Sequence, residues 1–205
     1  MKNLLIFGDS YSTFQGYIPN GYATYYPKLD VHNVEETWWT RYLEQTGEKL
    51  LQNNSWSGST IGYTGYNNTD CSKSSSFICR YKKLQEEGFF EKNKVDTIFV
   101  FGGTNDSWAD APLGEMKFSD WEDKDLFQVL SAVCYFAYRL KTDLPNTQIV
   151  FIINTDIKKE IQNAMEEAAK YFGVKYIPLQ NIDKENGHPT VKGMQSIAQQ
   201  IMKSV

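Results

Sequence analysis

The chain has 205 residues, of which 41% are apolar and 22% are charged, and its formal net charge is -4. These values are ordinary for a globular protein, and the charge excludes the strongly basic footprint that nucleic-acid binding requires. No stretch approaches the roughly 18 consecutive apolar residues of a membrane span, so none is predicted.

The first predicted element is the most informative stretch of the chain. The run from Lys2 to Phe7 is apolar without alternation, which predicts a strand buried on both faces, as in a parallel sheet. It ends in Gly8-Asp9-Ser10, and ligands bind at the carboxyl ends of strands in open α/β sheets. Ser10 is therefore a candidate nucleophile, although a serine in this position more often caps the next helix.

The rest of the chain alternates predicted helices and strands. Strands are predicted at 49–52, 95–101, 148–153 and 175–178, and helices at 37–46, 77–87, 121–141, 157–172 (with Asp156 as its cap) and 191–203. Long irregular segments at 13–35 and 53–76 are rich in Tyr, Gly and Asn. The alternation predicts one α/β domain over residues 1–205, with a parallel sheet and helices on both faces.

Four candidate site residues follow predicted strands or precede the last helix, at one edge of the sheet. His188 is the natural base for Ser10, because a hydroxyl nucleophile needs an adjacent base, although a lone His near a helix start is more often a surface or capping residue. The N–H groups of Ser10 and Gly58 and the amide of Asn105 could bind a developing oxyanion. Taken singly, Gly58 and Asn105 would be ordinary turn residues.

Four motifs in this order resemble the SGNH hydrolases, also called GDSL-type lipases and esterases. They are Gly8-Asp9-Ser10-Tyr11-Ser12, Asn53 to Gly58, Gly103-Thr104-Asn105-Asp106 and His188-Pro189. The resemblance implies a three-layer α/β/α sandwich, flavodoxin-like, around a five-stranded parallel sheet. It also implies Ser10 as nucleophile, His188 as base, Gly58 and Asn105 as oxyanion ligands, and no metal or other cofactor. Tyrosine replaces the family's leucine at position 11.

Two acidic residues are candidates for the acid of the catalytic triad. The family usually has Asp three residues before the His, where this chain has Glu185, and Asp183 lies five residues before His188. Asp183 is the predicted acid. Glu185 is the alternative, and a Ser–His dyad oriented by a backbone carbonyl is the third possibility.

The predicted activity is that of a serine esterase cleaving carboxylic esters through an acyl-enzyme. The many loop aromatics favour a small acyl group, such as acetyl, on a carbohydrate or similar polar alcohol. The alternatives are a lipase or thioesterase for longer chains, a catalytically silent carbohydrate-binding module, and a flavodoxin-like nucleotide-binding protein. The three cysteines, Cys71, Cys79 and Cys134, lack metal-type spacing and predict reduced thiols in a cytoplasmic protein.

Overall fold

A five-stranded parallel sheet forms the centre of the protein, for which a computed structural model describes residues 1–205. The main strands are β1 (Asn3–Gly8), β2 (Lys49–Ser55), β3 (Thr97–Gly102), β4 (Gln148–Ile153) and β5 (Lys175–Pro178), and a hairpin adds β6 (Lys184–Glu185) and β7 (His188–Pro189). The helices are α1 (Trp38–Thr46), α2 (Phe77–Glu86), α3 (Phe89–Lys92), α4 (Thr104–Trp108), α5 (Val129–Asp143), α6 (Lys159–Phe172) and α7 (Val191–Ser204).

The strand order β2-β1-β3-β4-β5 puts β1 near the middle of the sheet. Its last residue, Gly8, pairs with Ser55 of β2 and with Phe101 of β3, so the three strands end at nearly the same level. The turns that follow them, which carry Ser10, Gly58 and Asn105, therefore share one edge of the sheet. The predicted α/β fold with five parallel strands is confirmed.

Alternate residues of each strand enter separate cores on the two faces of the sheet. Leu5 and Phe7 belong to the core covered by α2, α5 and α6, whereas Leu4 and Ile6 belong to the core covered by α1 and α7. Because successive side chains of a strand point to opposite faces, a strand covered by helices on both sides must be apolar throughout. All four of these residues have no exposed surface.

Several predicted boundaries were wrong at loop–helix junctions. The helix predicted from residue 121 begins at Val129, because Gln128 is extended and residues 123–127 form a separate 3₁₀ turn. Asp156 does not cap α6: its φ is +57°, and the cap position belongs to Lys158. The short helix α4 and the β6–β7 hairpin were not predicted.

None of the helices combines the length and apolar character needed to cross a membrane. Cys71, Cys79 and Cys134 are unpaired.

Candidate active site

Ser10 lies in a 3₁₀ turn that begins immediately after β1. The Asp9 carboxylate accepts the N–H of Tyr11 at 3.0 Å and so caps this turn. A side chain at Gly8 would lie 2.5 Å from Ser55 Oγ and 2.6 Å from Ser12 Cβ, so only glycine fits between the neighbouring strand and the turn. The tight strand-to-turn connection therefore explains why glycine precedes the Asp9-Ser10 pair.

His188 brings a ring nitrogen to the Ser10 hydroxyl. Its Nε2 lies 3.0 Å from Ser10 Oγ, and its Nδ1 lies 3.1 Å from the carbonyl oxygen of Asn186. Burial lowers the pKa of His188 below its ordinary value, and the charges of Lys28 and Lys184 lower it further, against the Asn186 hydrogen bond. A neutral ring that donates from Nδ1 to the carbonyl leaves Nε2 free to accept a proton from Ser10.

The β6–β7 hairpin determines which groups surround the imidazole. Its turn residues, Asn186 and Gly187, have φ values of +48° and +78°, the left-handed conformations of a two-residue type I′ turn. Asn-Gly is the strongest sequence pattern for such a turn, and it could have predicted this hairpin. The turn folds back so that the Asn186 carbonyl faces the imidazole ring of His188, two residues further along the chain.

Neither predicted acid forms a hydrogen bond with the His188 ring in the structure. The Asp183 carboxylate accepts the hydroxyl hydrogen of Thr190, and the Asp183 carbonyl accepts the Thr190 N–H at 3.2 Å. Glu185 is the strand partner of His188, but its side chain is exposed and makes no hydrogen bond to the ring. The hydrogen bonds of Asp183 are thus made at the open end of the hairpin, where α7 begins. The group that faces Nδ1 of His188 is the Asn186 carbonyl.

Asn105 and Gly58 lie on the turns after β3 and β2. Asn105 is buried in the first turn of α4, where its Nδ2 donates to the Ser59 carbonyl at 3.0 Å and its Oδ1 accepts from the Tyr66 hydroxyl at 2.8 Å. Gly58 has a φ of +82°, and a Cβ there would meet no atom within 4 Å. The Ser59 contact joins Asn105 to the Gly58 turn.

Two buried charged residues support these turns, and neither was identified from the sequence as a site residue. Asp106 accepts the N–H groups of Ile61, at 2.9 Å, and Gly62, at 3.2 Å. Burial raises the pKa of Asp106 to about 6.

Arg80, on α2, is the second of these buried charged groups. It donates to the carbonyls of Gly8, at 3.2 Å, and Asn54, and to Ser59 Oγ at 3.0 Å. Burial lowers the pKa of the Arg80 guanidinium to about 10. Arg80 thereby links the ends of β1 and β2 to the Ser59 turn. The only sequence pattern that points to Arg80 is its position as a charged residue on the inner face of the predicted helix 77–87.

Aromatic side chains enclose the His188 ring. Tyr25 stacks on it with 3.6 Å between centroids, and Tyr11 and Trp108 each lie 5.5 Å away. The Tyr11 hydroxyl donates to the Gly187 carbonyl, and the Tyr26 hydroxyl donates to the Pro189 carbonyl at 2.6 Å. The hairpin that carries His188 is therefore held by one tyrosine from the Ser10 turn and one from the first loop.

The parallel sheet and the hydroxyl–imidazole contact at its carboxyl edge agree with the class of carboxylic ester hydrolases. The chain belongs to the GDSL-like lipase/acylhydrolase family, whose model matches residues 2–205. The resemblance based on the four motifs is thus confirmed.

Comparison with solved structures agrees with this family. A chain described as a GDSL-like lipase from Bacteroides uniformis is 42% identical, with a TM-score of 0.92 and coverage of 100% of this chain and 95% of the other. One from Bacteroides ovatus is 38% identical, with a TM-score of 0.91 and coverage of 99% and 97%. An acetyl xylan esterase from Butyrivibrio proteoclasticus shares the fold at 17% identity, with a TM-score of 0.60 and coverage of 98% and 62%. None of the curated proteins compared with the chain matches it.

Proposed function

We propose that this hydrolase is a serine esterase that removes small acyl groups, acetyl above all, from a carbohydrate or similar polar alcohol. The observation that carries the proposal is the 3.0 Å contact between Ser10 Oγ and His188 Nε2 at the carboxyl edge of the sheet. A hydroxyl becomes an effective nucleophile when an adjacent base accepts its proton.

The proposed reaction proceeds through an acyl-enzyme. Ser10 Oγ bonds to the ester carbonyl carbon while His188 Nε2 takes the hydroxyl proton, and His188 then returns that proton to the departing alcohol oxygen. The Asn186 carbonyl accepts the Nδ1–H throughout and so stabilises the imidazolium and fixes its orientation. Water then attacks the acyl-enzyme by the same proton transfers and releases the acid and free Ser10.

The proposed oxyanion ligands are the N–H groups of Ser10 and Gly58 and one amide hydrogen of Asn105. Each such donor contributes about 2.7–4 kcal/mol in the transition state when it is aimed in advance at the developing charge. The two hydrogen bonds of Asn105 support this assignment, because they restrict its amide before substrate binds.

Surface shape supports a small acyl group. Five surface cavities, of about 290 to 490 Å³ each, are lined by residues other than the four proposed catalytic and oxyanion residues. A long acyl chain would need an apolar channel beside Ser10 to remove its methylene groups from water, at ~0.8 kcal/mol for each.

An exposed aromatic ring beside the site supports a sugar alcohol. Trp108 is 41% exposed and contacts His188, the residue proposed to protonate the departing alcohol. Its ring therefore offers an apolar surface where the alcohol part would lie. The acetyl xylan esterase noted above shares only the fold, so the sugar proposal stands on the Trp108 ring.

The first experiment is labelling with a fluorophosphonate probe followed by intact-mass measurement. We expect one adduct on the wild type, no adduct on Ser10→Ala, and greatly slowed labelling of His188→Ala. Absence of an adduct on correctly folded wild type would contradict the esterase mechanism and favour a silent binding module. A series of 4-nitrophenyl esters from acetate to palmitate tests the acyl group, and preference for octanoate or longer chains would favour the lipase or thioesterase alternative.

A further inference from the structure

The side-chain amide of Asn105 has a nearly complete set of hydrogen bonds before any ligand binds. An asparagine amide has two N–H donors and one oxygen acceptor. One Nδ2 hydrogen is donated to the Ser59 carbonyl, and Oδ1 accepts the Tyr66 hydroxyl hydrogen. Because a carbonyl can only accept, the Ser59 contact requires Nδ2 on that side and therefore Oδ1 on the side of Tyr66. One N–H remains unused by the protein.

Tyr66 reaches Asn105 from a loop that is held in place independently. Tyr66 begins a 3₁₀ turn in which Asn67 and Asn68 have positive φ values of 55° and 57°, a conformation that asparagine tolerates. The turn is closed by the Thr69 N–H to the Tyr66 carbonyl at 3.1 Å. It lies between the paired positions Thr64 and Asp70.

The Tyr66 ring is not part of either core. It is 40% exposed, and the side chain makes one hydrogen bond, to Asn105. Partial burial raises the pKa of the Tyr66 hydroxyl, so the phenol keeps its proton and remains a donor at working pH. Its hydroxyl thus has a specific partner, although the side chain adds little to the core.

We propose that Tyr66 is a positioning residue for oxyanion stabilisation: its hydroxyl holds the Asn105 amide so that the unused N–H faces the oxyanion. This inference rests on the proposed role of Asn105 as an oxyanion ligand. A donor bound to Oδ1 also polarises the amide, which makes the remaining N–H a stronger donor, because linked hydrogen bonds reinforce one another. The effect is greatest when charge develops on the substrate oxygen, so Tyr66 acts on the transition state.

The test is a double-mutant cycle between Tyr66→Phe and Asn105→Ala, with kcat and KM measured on 4-nitrophenyl acetate. We expect Tyr66→Phe to lower kcat about 3- to 10-fold, the effect of a typical hydrogen bond, with KM nearly unchanged. In the Asn105→Ala background the same change should have no further effect, since its target is gone. Tyr17→Phe is the matched control, because Tyr17 is an exposed loop tyrosine whose ring packs against Phe14 and Trp39.

The possible failures separate the inference from the proposed function. If Asn105→Ala itself leaves kcat unchanged, the oxyanion role of Asn105 fails and the Tyr66 inference fails with it. If Asn105→Ala loses a hundredfold or more but Tyr66→Phe matches the wild type, only the inference is overturned. Equal losses from Tyr66→Phe in both backgrounds would also overturn it. Thermal unfolding of each variant shows that the compared proteins are folded.

Discussion

Tyr25 lies flat against His188, with 3.6 Å between the ring centroids and 5° between their planes. Tyr25 belongs to the long first loop, and its N–H donates to Thr13 Oγ1 at 2.9 Å, just beyond the Ser10 turn. The imidazole is therefore held by an aromatic face and a backbone carbonyl, with no carboxylate at Nδ1. The first loop forms one wall of the site.

Removing the Tyr25 ring should impair the orientation of His188, the proposed base. A favourable aromatic pair contributes about 0.5–1.5 kcal/mol beyond its buried area. We therefore expect Tyr25→Ala to lower kcat by about 2- to 12-fold. Tyr25→Phe keeps the stacked ring and should stay near wild-type activity. Equal losses in the two variants would mean that the hydroxyl is the important group.

Neither carboxylate near His188 should be essential. In a triad with a true Asp–His contact, the Asp→Asn change lowers kcat by about 10⁴. Because neither Asp183 nor Glu185 reaches the ring, we expect Asp183→Asn and Glu185→Gln each to keep kcat within about threefold of wild type. Steady-state hydrolysis of 4-nitrophenyl acetate measures both. A loss of a hundredfold in one variant would identify that residue as the acid.

Activity should persist below the ordinary pKa of histidine. The pKa of His188 is lowered by burial, then by the positive charges of Lys28 and Lys184, so the acid limb of kcat/KM should lie below pH 6.5. Removing the exposed charge with Lys28→Gln makes the imidazolium less unfavourable, which raises its pKa and moves the acid limb upward. The shift should shrink at high salt. Lys203→Gln, at the end of α7, is the control, and an unmoved acid limb in Lys28→Gln would contradict this account.

Stability should fall as pH rises toward neutrality because of Asp9. Burial raises the pKa of Asp9 from 3.8 to about 7. Between these values the folded protein keeps a proton that the unfolded chain has lost, so unfolding becomes easier as pH increases. Asp9→Asn removes this contribution, which is at most about 1.4 kcal/mol per pH unit. Urea unfolding of both proteins at pH 5 and pH 6.5 checks the slopes, and parallel slopes would contradict the prediction. Asp106, whose pKa is also raised by burial, lowers stability with rising pH in both the wild type and Asp9→Asn.

Trp108 should determine preference for the alcohol and not for the acyl group. We expect Trp108→Ala to lower kcat/KM for an acetylated methyl glycoside by about 2- to 12-fold, mainly through KM, as the loss of one stacking surface predicts. The ratio of rates on 4-nitrophenyl acetate and butyrate should not change. Trp108→Phe keeps an aromatic contact to His188 but offers a smaller surface to the sugar. Comparing it with Trp108→Ala therefore separates sugar binding from the support of His188. A changed acetate-to-butyrate ratio would place Trp108 beside the acyl group instead.

The sequence was sufficient for the three central strands β1, β3 and β4, because each is buried on both faces and therefore has an apolar run. The bounds of β4 were predicted correctly for this reason, those of the edge strand β5 were also predicted correctly, and the four motifs identified the family. Prediction failed where local pattern is weak: Gln128 interrupts an otherwise helical segment, and Asp156, a common capping residue, adopts a left-handed conformation.

The sequence by itself determined the layered fold and the order in which Ser10, Gly58, Asn105 and His188 follow one another along it. Only the tertiary structure decided what surrounds them. The Asn186-Gly187 turn places a carbonyl at Nδ1 in place of a carboxylate, and Tyr25 and Tyr66 reach His188 and Asn105 from loops without periodicity. Such contacts depend on the path of a loop through space, whereas composition and spacing record only which residues are neighbours along the chain.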